Sequence, residues 1–200
     1  MKVICTEKSQ VLATQVAKAL KTKVVDVKYS RFPDGEHYLR TGEIDDEMVI
    51  VGSVVDNDSL VQLMLLVDAC DNATNRLVLP YMAYARQDKR FEAGEPISSR
   101  VVARALSPGV SDVITVNIHE KEVLKSFSVP AHNLSLAKDI GSYILSLHLD
   151  NPLILAPDEG AMIFAEQVSS VGGWEYDHLE KTRLSGVEVR MTPRQLSAAS

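Results

Sequence analysis

A dense group of charged and amide side chains follows an apolar run in the first half of the chain. The run LVLPYMA, residues 77–83, leads directly into YARQDKRFEAGEPISSR, residues 84–100. Guanidinium forks match phosphate oxygens, whereas carboxylates and water suit Mg²⁺. This mixture is typical of a site for a polyphosphate with a divalent cation. On composition alone, a solvated and self-paired charge run is the alternative.

Two further polar residues directly follow predicted strands. His119 comes after ITVNI, and Asp158 comes after LILAP. In sheets of parallel strands, ligands bind outside the carboxyl ends of the strands, so these residues and the segment from Tyr84 are candidates for one kind of site. The alternatives are a hydrogen-bonded structural histidine and, for Asp158, an ordinary helix N-cap.

The elements that would position these residues alternate along the chain. Short β-branched runs are followed by helical periodicity, which predicts an α/β fold with mainly parallel sheets. We predict that helices open near Ser9, Asp58, Ile97 and Ser135, and that FPDGE, residues 32–36, forms a turn in a hairpin-like setting. The βα pattern restarts near residues 132–138. We therefore expect two domains, residues 1–135 and residues 136–200.

Composition and charge exclude several classes of protein. The 200 residues carry a formal net charge of -6, which disfavours a nucleic-acid-binding protein. The apolar runs are too short to cross a membrane, and no signal-peptide pattern is present. Cys5 and Cys70 have no CxxC spacing and predict reduced core residues, so we expect a soluble cytoplasmic protein. The chain also lacks GxxxxGK[ST], GxGxxG and GxSxG motifs.

Five motifs occur in an order that resembles the ribose-phosphate pyrophosphokinase family. Its members are also called phosphoribosyl pyrophosphate (PRPP) synthetases, and the chain looks most like the archaeal ones. The motifs are FPDGE, YARQDKR followed by GEPIS, VITVNIH, the PD of APDEGA, and LEKTR. The resemblance implies two domains similar to type I phosphoribosyltransferases. It also implies transfer of the β,γ-diphosphoryl group of MgATP to the anomeric hydroxyl of ribose 5-phosphate, giving PRPP and AMP.

The same resemblance implies a role for each matching residue in ATP binding. The FPDGE loop reaches the ATP of a neighbouring subunit in a homo-oligomer, where Phe32 stacks on adenine and two carboxylates bond its edge. Without the resemblance, this loop is a tight turn with one exposed aromatic ring. The implied ATP-binding residues are Phe32, Asp34, Glu36, Arg86, Gln87 and His119. At least one of Asp88, Lys89 and Arg90 is expected to be structural.

The remaining implied roles concern the metal, the acceptor and the transfer step. His119 and Asp158 are expected to lie near Mg²⁺, and Asp158 is expected to bind ribose 5-phosphate. Lys181 and Arg183 match a catalytic basic pair whose charge stabilises the transferring group. A surface charge pair is the alternative for these two residues.

The sequence departs from the family pattern in three places. Asn117 stands where the family has Asp, which puts a metal-shell role there in doubt, and APDEGA replaces SPDxGG. The chain stops at MTPRQLSAAS, before the family's Thr/Gly-rich loop for the ribose phosphate. We therefore expect an incomplete second domain and a 200-residue form that binds ATP but turns over poorly or not at all.

Two other functions stay open at this point. One is a non-catalytic, ATP-binding or regulatory relative that assembles with complete chains. The other is a phosphoribosyltransferase acting on a base, which the absence of an acidic PRPP-binding loop disfavours.

Overall fold

The computed structural model describes residues 1–183 and 189–193. The chain divides into two compact units, Met1–Leu134 and Ser135–Ser200. We describe each unit separately.

The first unit is built on a parallel sheet of five strands in the order β1-β4-β5-β6-β7. Each neighbouring pair in this order is parallel, so all five carboxyl ends lie at one edge. The elements in chain order are β1 (Lys2–Cys5), α1 (Gln10–Ala19), β2 (Val27–Arg31), β3 (His37–Thr41), β4 (Glu47–Val51), α2 (Asn57–Asp68), β5 (Thr74–Leu79), α3 (Ser98–Ala105), β6 (Asp112–Val116) and β7 (Ala131–Leu134).

The core of this unit lies on both faces of the sheet because successive strand residues point to opposite sides. On one face, Val3 and Val51 pack with Ala13 and Ala17 of α1. On the other face, strand residues such as Ile50 pack against residues of α2 and α3, including Leu63, Leu66 and Val102. Burial on both faces explains why β1 and β4 have continuous apolar runs without alternation.

Both cysteines belong to this core, as the sequence predicted. Cys5 and Cys70 are buried free thiols. Burial raises the pKa of the Cys70 thiol to about 11, with a smaller contribution from Asp71, so it is un-ionised and unreactive at neutral pH.

Three predicted helix starts need correction. Helix α2 begins at Asn57, and its cap is Asp56 rather than Asp58; Asp56 and Ser59 form a reciprocal capping box. Helix α4 (Ala137–Ser146) begins two residues after Ser135. Ser9 does precede α1, but its hydroxyl bonds Thr6 and the Ser53 N–H rather than the helix. For Asp58 and Ser9, long-range or reciprocal bonds, which a local pattern does not reveal, decide the role of the side chain.

The predicted hairpin around FPDGE is confirmed. Strands β2 and β3 pair antiparallel, with Arg31 opposite His37, and form a two-stranded sheet separate from the main sheet. The Phe32 N–H donates to the Glu36 carbonyl at 2.9 Å and closes the loop. Gly35, with φ of +95°, supplies the left-handed turn position.

The second unit contains a three-stranded sheet in the order β10-β9-β8 in its described residues. Strand β8 pairs parallel with β9, and β9 pairs antiparallel with β10. Besides α4, its elements are β8 (Ile154–Ala156), α5 (Met162–Ser169), β9 (Tyr176–Arg183) and β10 (Val189–Pro193). Taken together, the two units confirm the predicted α/β class with mainly parallel strands.

Among the described residues, no helix combines the length and apolar character needed to cross a bilayer.

Candidate functional site

A cavity of about 170 Å³ opens at the carboxyl edge of the main sheet, between the ends of β5 and β6. Its polar lining comes from Arg86 after β5 and from Asn117 and His119 after β6. Strands β5 and β6 are direct neighbours. The structure therefore brings together two residues, Arg86 and His119, that the sequence identified separately. The apolar lining consists of Leu79, Tyr81, Met82, Ala85, Val116 and Ile118.

The guanidinium of Arg86 is exposed and, within the described part of the chain, has no hydrogen-bond or ion-pair partner. Other arginines of the same unit are engaged: Arg31 with Asp58, Arg76 with Asp112, and Arg90 with the Glu95 carbonyl. A cation at a cavity wall is suited to bind an anionic ligand when it does not have to give up a bond within the protein. The fork geometry of a guanidinium also matches phosphate oxygens.

Backbone hydrogen bonds fix both walls of the cavity. On the β5 side, the Val54 N–H donates to the Tyr81 carbonyl and the Ala83 N–H donates to the Val54 carbonyl, both at 2.8 Å. On the β6 side, the Ile118 N–H donates to Asn133 Oδ1 at 2.8 Å. The site is thus preorganised, which is what electrostatic stabilisation of a charged ligand requires. Asn133 gave no sequence signal, because its role depends on β7 pairing with β6.

Two residues beside the cavity adopt left-handed backbone conformations. The φ angle is 67° at Tyr84 and 46° at Asn117. Asparagine tolerates this region, but it is unfavourable for a bulky tyrosine. Strained backbone of this kind concentrates at functional sites, where the surrounding structure holds it in place. The Tyr84 hydroxyl contributes by donating a hydrogen bond to Asn57 Oδ1.

The segment after Tyr84 is held largely by its own bonds. Gln87 Oε1 accepts from the Ser98 hydroxyl, and the Gln87 carbonyl accepts from the Ser99 N–H at 3.2 Å. These bonds tie the segment to the start of α3. Arg90 Nε donates to the Glu95 carbonyl at 2.8 Å, a bond within the segment, and the expectation that one of the three residues after Gln87 is structural stays a prediction. The ATP contact predicted for Gln87 stays a prediction.

The FPDGE loop does not line the cavity. The Phe32 ring packs edge-on against Tyr38, with centroids 5.7 Å apart and an interplanar angle of 81°, and 49% of the residue remains exposed. Asp34 Oδ1 accepts from the Glu36 N–H at 3.1 Å. Phe32, Asp34 and Glu36 are thus presented on an exposed hairpin tip, and the structure of one chain does not bring them to Arg86.

The other predicted site residues belong to the second unit. Asp158 follows β8 at the N-cap position of a short 3₁₀ helix, Glu159–Ala161, without bonding the helix backbone through its side chain. Lys181 and Arg183 lie in β9, and their side chains are outside the described residues.

The described residues do not build a metal cage, since no three His, Cys, Asp or Glu side chains among them converge. Mg²⁺ commonly binds through one or two protein groups, several waters and substrate phosphates. The cavity, with His119 and the Asn117 amide but no carboxylate in its lining, fits a magnesium ion that arrives with a polyphosphate rather than a resident ion.

The fold and this cavity define a class of protein: a parallel α/β protein with a cation that has no partner among the described residues and an imidazole at the ends of adjacent strands, where proteins of this class bind ligands. Comparisons with known proteins identify its family. The family model described as the N-terminal domain of ribose phosphate pyrophosphokinase matches residues 1–108.

Curated relatives and a solved structure extend the match over nearly the whole chain. A ribose-phosphate pyrophosphokinase of Methanosarcina mazei is 46% identical over 199 residues, covering 98% of this chain and 67% of the relative. The enzyme of the same name from Methanopyrus kandleri is 42% identical, covering 98% and 70%. The crystal structure of phosphoribosylpyrophosphate synthetase from Mycobacterium smegmatis has a TM-score of 0.79 and 27% identity, covering 96% of this chain and 66% of that chain.

This chain belongs to the ribose-phosphate pyrophosphokinase family. It spans about two thirds of the length of these relatives. The family resemblance and the fold predicted from the sequence motifs are confirmed.

Proposed function

We propose that this chain binds MgATP in the cavity between the ends of β5 and β6 and takes part in making PRPP and AMP from ATP and ribose 5-phosphate. One observation carries the proposal. Arg86, which has no partner among the described residues, shares this cavity with His119 in a chain of the ribose-phosphate pyrophosphokinase family. A guanidinium and an imidazole are suited to the triphosphate of ATP.

The proposed reaction is an in-line displacement at the β-phosphorus. The C1 hydroxyl oxygen of ribose 5-phosphate attacks that phosphorus and loses its proton, while the bond from the β-phosphorus to the α,β-bridging oxygen breaks and AMP leaves with the electron pair. The protein's contribution is positioning and neutralisation of charge. Arg86 and His119 hold the triphosphate, Lys181 and Arg183 stabilise the transferring group, and Asp158 contacts ribose 5-phosphate.

Recognition of the base is assigned to the hairpin tip of a neighbouring subunit. The exposed ring of Phe32 stacks on adenine, and the carboxylates of Asp34 and Glu36 accept hydrogen bonds at its edge. The absence of this tip from the lining of its own chain's cavity supports a homodimer or larger oligomer, in which an isologous pairing would supply two such contacts.

Magnesium enters the proposal as part of the substrate, MgATP. His119 and Asp158 are the side chains proposed to lie near the ion, which neutralises phosphate charge. The reduced, buried thiols support a cytoplasmic location for such an enzyme.

Replacing Arg86 by alanine should weaken MgATP binding roughly ten- to a hundredfold, because a hydrogen bond to a charged group contributes about 1.5–3 kcal/mol. Titration calorimetry with MgATP measures the change directly. Arg76→Ala is the matched control. It removes an arginine whose Nε bonds both oxygens of Asp112 near the amino ends of the strands, and it should leave the affinity unchanged. Equal affinities for Arg86→Ala and the unsubstituted chain would contradict the proposed site.

A further inference from the structure

The first turn of α2 contacts both segments to which the proposed function assigns ATP contacts. Asn57 Oδ1 accepts the hydrogen bond of the Tyr84 hydroxyl, at the start of the segment that carries Arg86. The next residue, Asp58, reaches the hairpin: its Oδ2 lies 2.5 Å from Arg31 Nη2, and its Oδ1 lies 3.4 Å from His37 Nε2.

Arg31 transmits the position of Asp58 to the tip of the hairpin. The Nη2 atom of its guanidinium donates to Asp58 Oδ2, and the Nη1 atom donates to the Gly35 carbonyl at 2.8 Å. Gly35 lies inside the loop between Phe32 and Glu36. A shift of the guanidinium therefore moves the backbone that orients the aromatic ring and the two carboxylates. His37, opposite Arg31 in the hairpin register, is a second contact on the far side of the loop, and its side chain is 8% exposed.

The turn that supplies these contacts is itself fixed. Asp56 Oδ1 accepts from the Ser59 N–H at 2.8 Å, and Ser59 Oγ accepts from the Asp56 N–H at 3.0 Å. The hydrogen bond from Arg31 lowers the pKa of Asp58, so the carboxylate is ionised at neutral pH and holds the guanidinium as a charged pair.

We propose that Asp58 is a positioning residue that sets the adenine-recognition loop through Arg31, while Asn57 positions the phosphate-binding segment through Tyr84. The inference rests on the proposed function and adds a separate role for each of these two residues. Asp58 determines which base is accepted, and Asn57 affects the affinity for any nucleoside triphosphate.

Stability alone does not account for the Asp58–Arg31 pair. The two side chains are 58% and 48% exposed, and ion pairs at such sites contribute little to folding free energy. Arg31 of this exposed pair also donates to a carbonyl of the loop, so the pair is better explained by the geometry that it imposes on the loop.

The test compares the affinities of MgATP and MgGTP by calorimetry for the unsubstituted chain, Asp58→Asn and Tyr84→Phe. Asp58→Asn should reduce the preference for ATP over GTP about tenfold, as expected for one or two hydrogen bonds to the base edge that are no longer aligned. Its affinity for GTP should fall less than its affinity for ATP, because stacking on Phe32 is common to both bases. Tyr84→Phe should weaken both nucleotides by the same factor. Asp58→Glu, which keeps the charge, should recover part of the preference.

Asp112→Asn is the control, because it makes the same substitution in another Asp–Arg pair, near the amino ends of β5 and β6 and away from the cavity. It should change neither affinity nor preference. An unchanged preference in Asp58→Asn, or an equal loss for both nucleotides, would overturn the inference. An unsubstituted chain that binds ATP and GTP alike would overturn it too. A chain that binds neither nucleotide would instead overturn the proposed function.

Discussion

A mixture of Phe32→Ala chains and Arg86→Ala chains is expected to recover high-affinity MgATP sites that neither variant has alone. In the proposed arrangement, each site combines the cavity of one subunit with the hairpin tip of its neighbour. A mixed dimer then contains one site with both defects and one site with none. Random assortment makes half of the dimers mixed, so about a quarter of all sites should bind as in the unsubstituted protein.

The measurement is the number of high-affinity sites per chain in calorimetric titration of the two variants, separately and after dissociation and reassembly. A mixture of Arg86→Ala with His119→Ala is the control, because both defects then affect the cavity and no assortment yields an intact site. Absence of recovery in the first mixture, with reassembly verified, would show that the hairpin does not serve a neighbour's nucleotide.

Replacing Lys181 by alanine should lower turnover about a hundred- to a thousandfold while changing MgATP affinity much less. Removing one preorganised group that stabilises transition-state charge typically lowers kcat by a factor of this size. In the proposed mechanism, the charge of Lys181 is needed mainly while the diphosphoryl group moves, so its contribution is larger in the transition state than in the bound substrate. The measurement is ribose 5-phosphate-dependent release of AMP, made on this chain joined to the uncovered third of the Methanosarcina mazei relative.

The β9–β10 ribbon offers a matched control for this prediction. Arg190 of β10 is paired with Thr182 in the antiparallel register, so it is a cation of the same ribbon that lies outside the LEKTR motif. Arg190→Ala should leave turnover nearly unchanged. Equal losses for the two variants would indicate a general effect of positive charge or of ribbon stability, and would remove Lys181 from the proposed mechanism.

The sequence predicted the elements of the site better than their arrangement. Apolar β-branched runs ending in polar residues placed Arg86 and His119 at strand ends, because a buried parallel strand has a distinctive local composition. Whether the two strands are neighbours depends on pairing across the sheet, which local patterns do not determine. The family resemblance, carried by short motifs, supplied the connection that physical patterning could not.

The supporting contacts were less predictable than the site residues themselves. Asn133 and Asn57 act on segments that are 15 and 27 residues away in the chain. Strand β7 was also missed, since its sequence AHNL is half polar and too short to show a period. Contacts of this kind arise only after the sheet and helices have packed, so no local pattern marks them.

The helix starts illustrate the same limit on a smaller scale. Ser9 and Asp58 are residue types that favour N-caps, yet Ser9 bonds Thr6 and Ser53, and Asp58 bonds Arg31. Propensity identified the correct neighbourhood of each helix start, whereas tertiary partners decided what each side chain does.

A crystal structure of the chain with magnesium and a non-hydrolysable ATP analogue tests the central claim most directly. We predict that the triphosphate lies in the cavity between the ends of β5 and β6, within hydrogen-bond distance of the Arg86 guanidinium and the His119 imidazole. A triphosphate bound elsewhere, with Arg86 and His119 left without ligand contacts, would contradict the account.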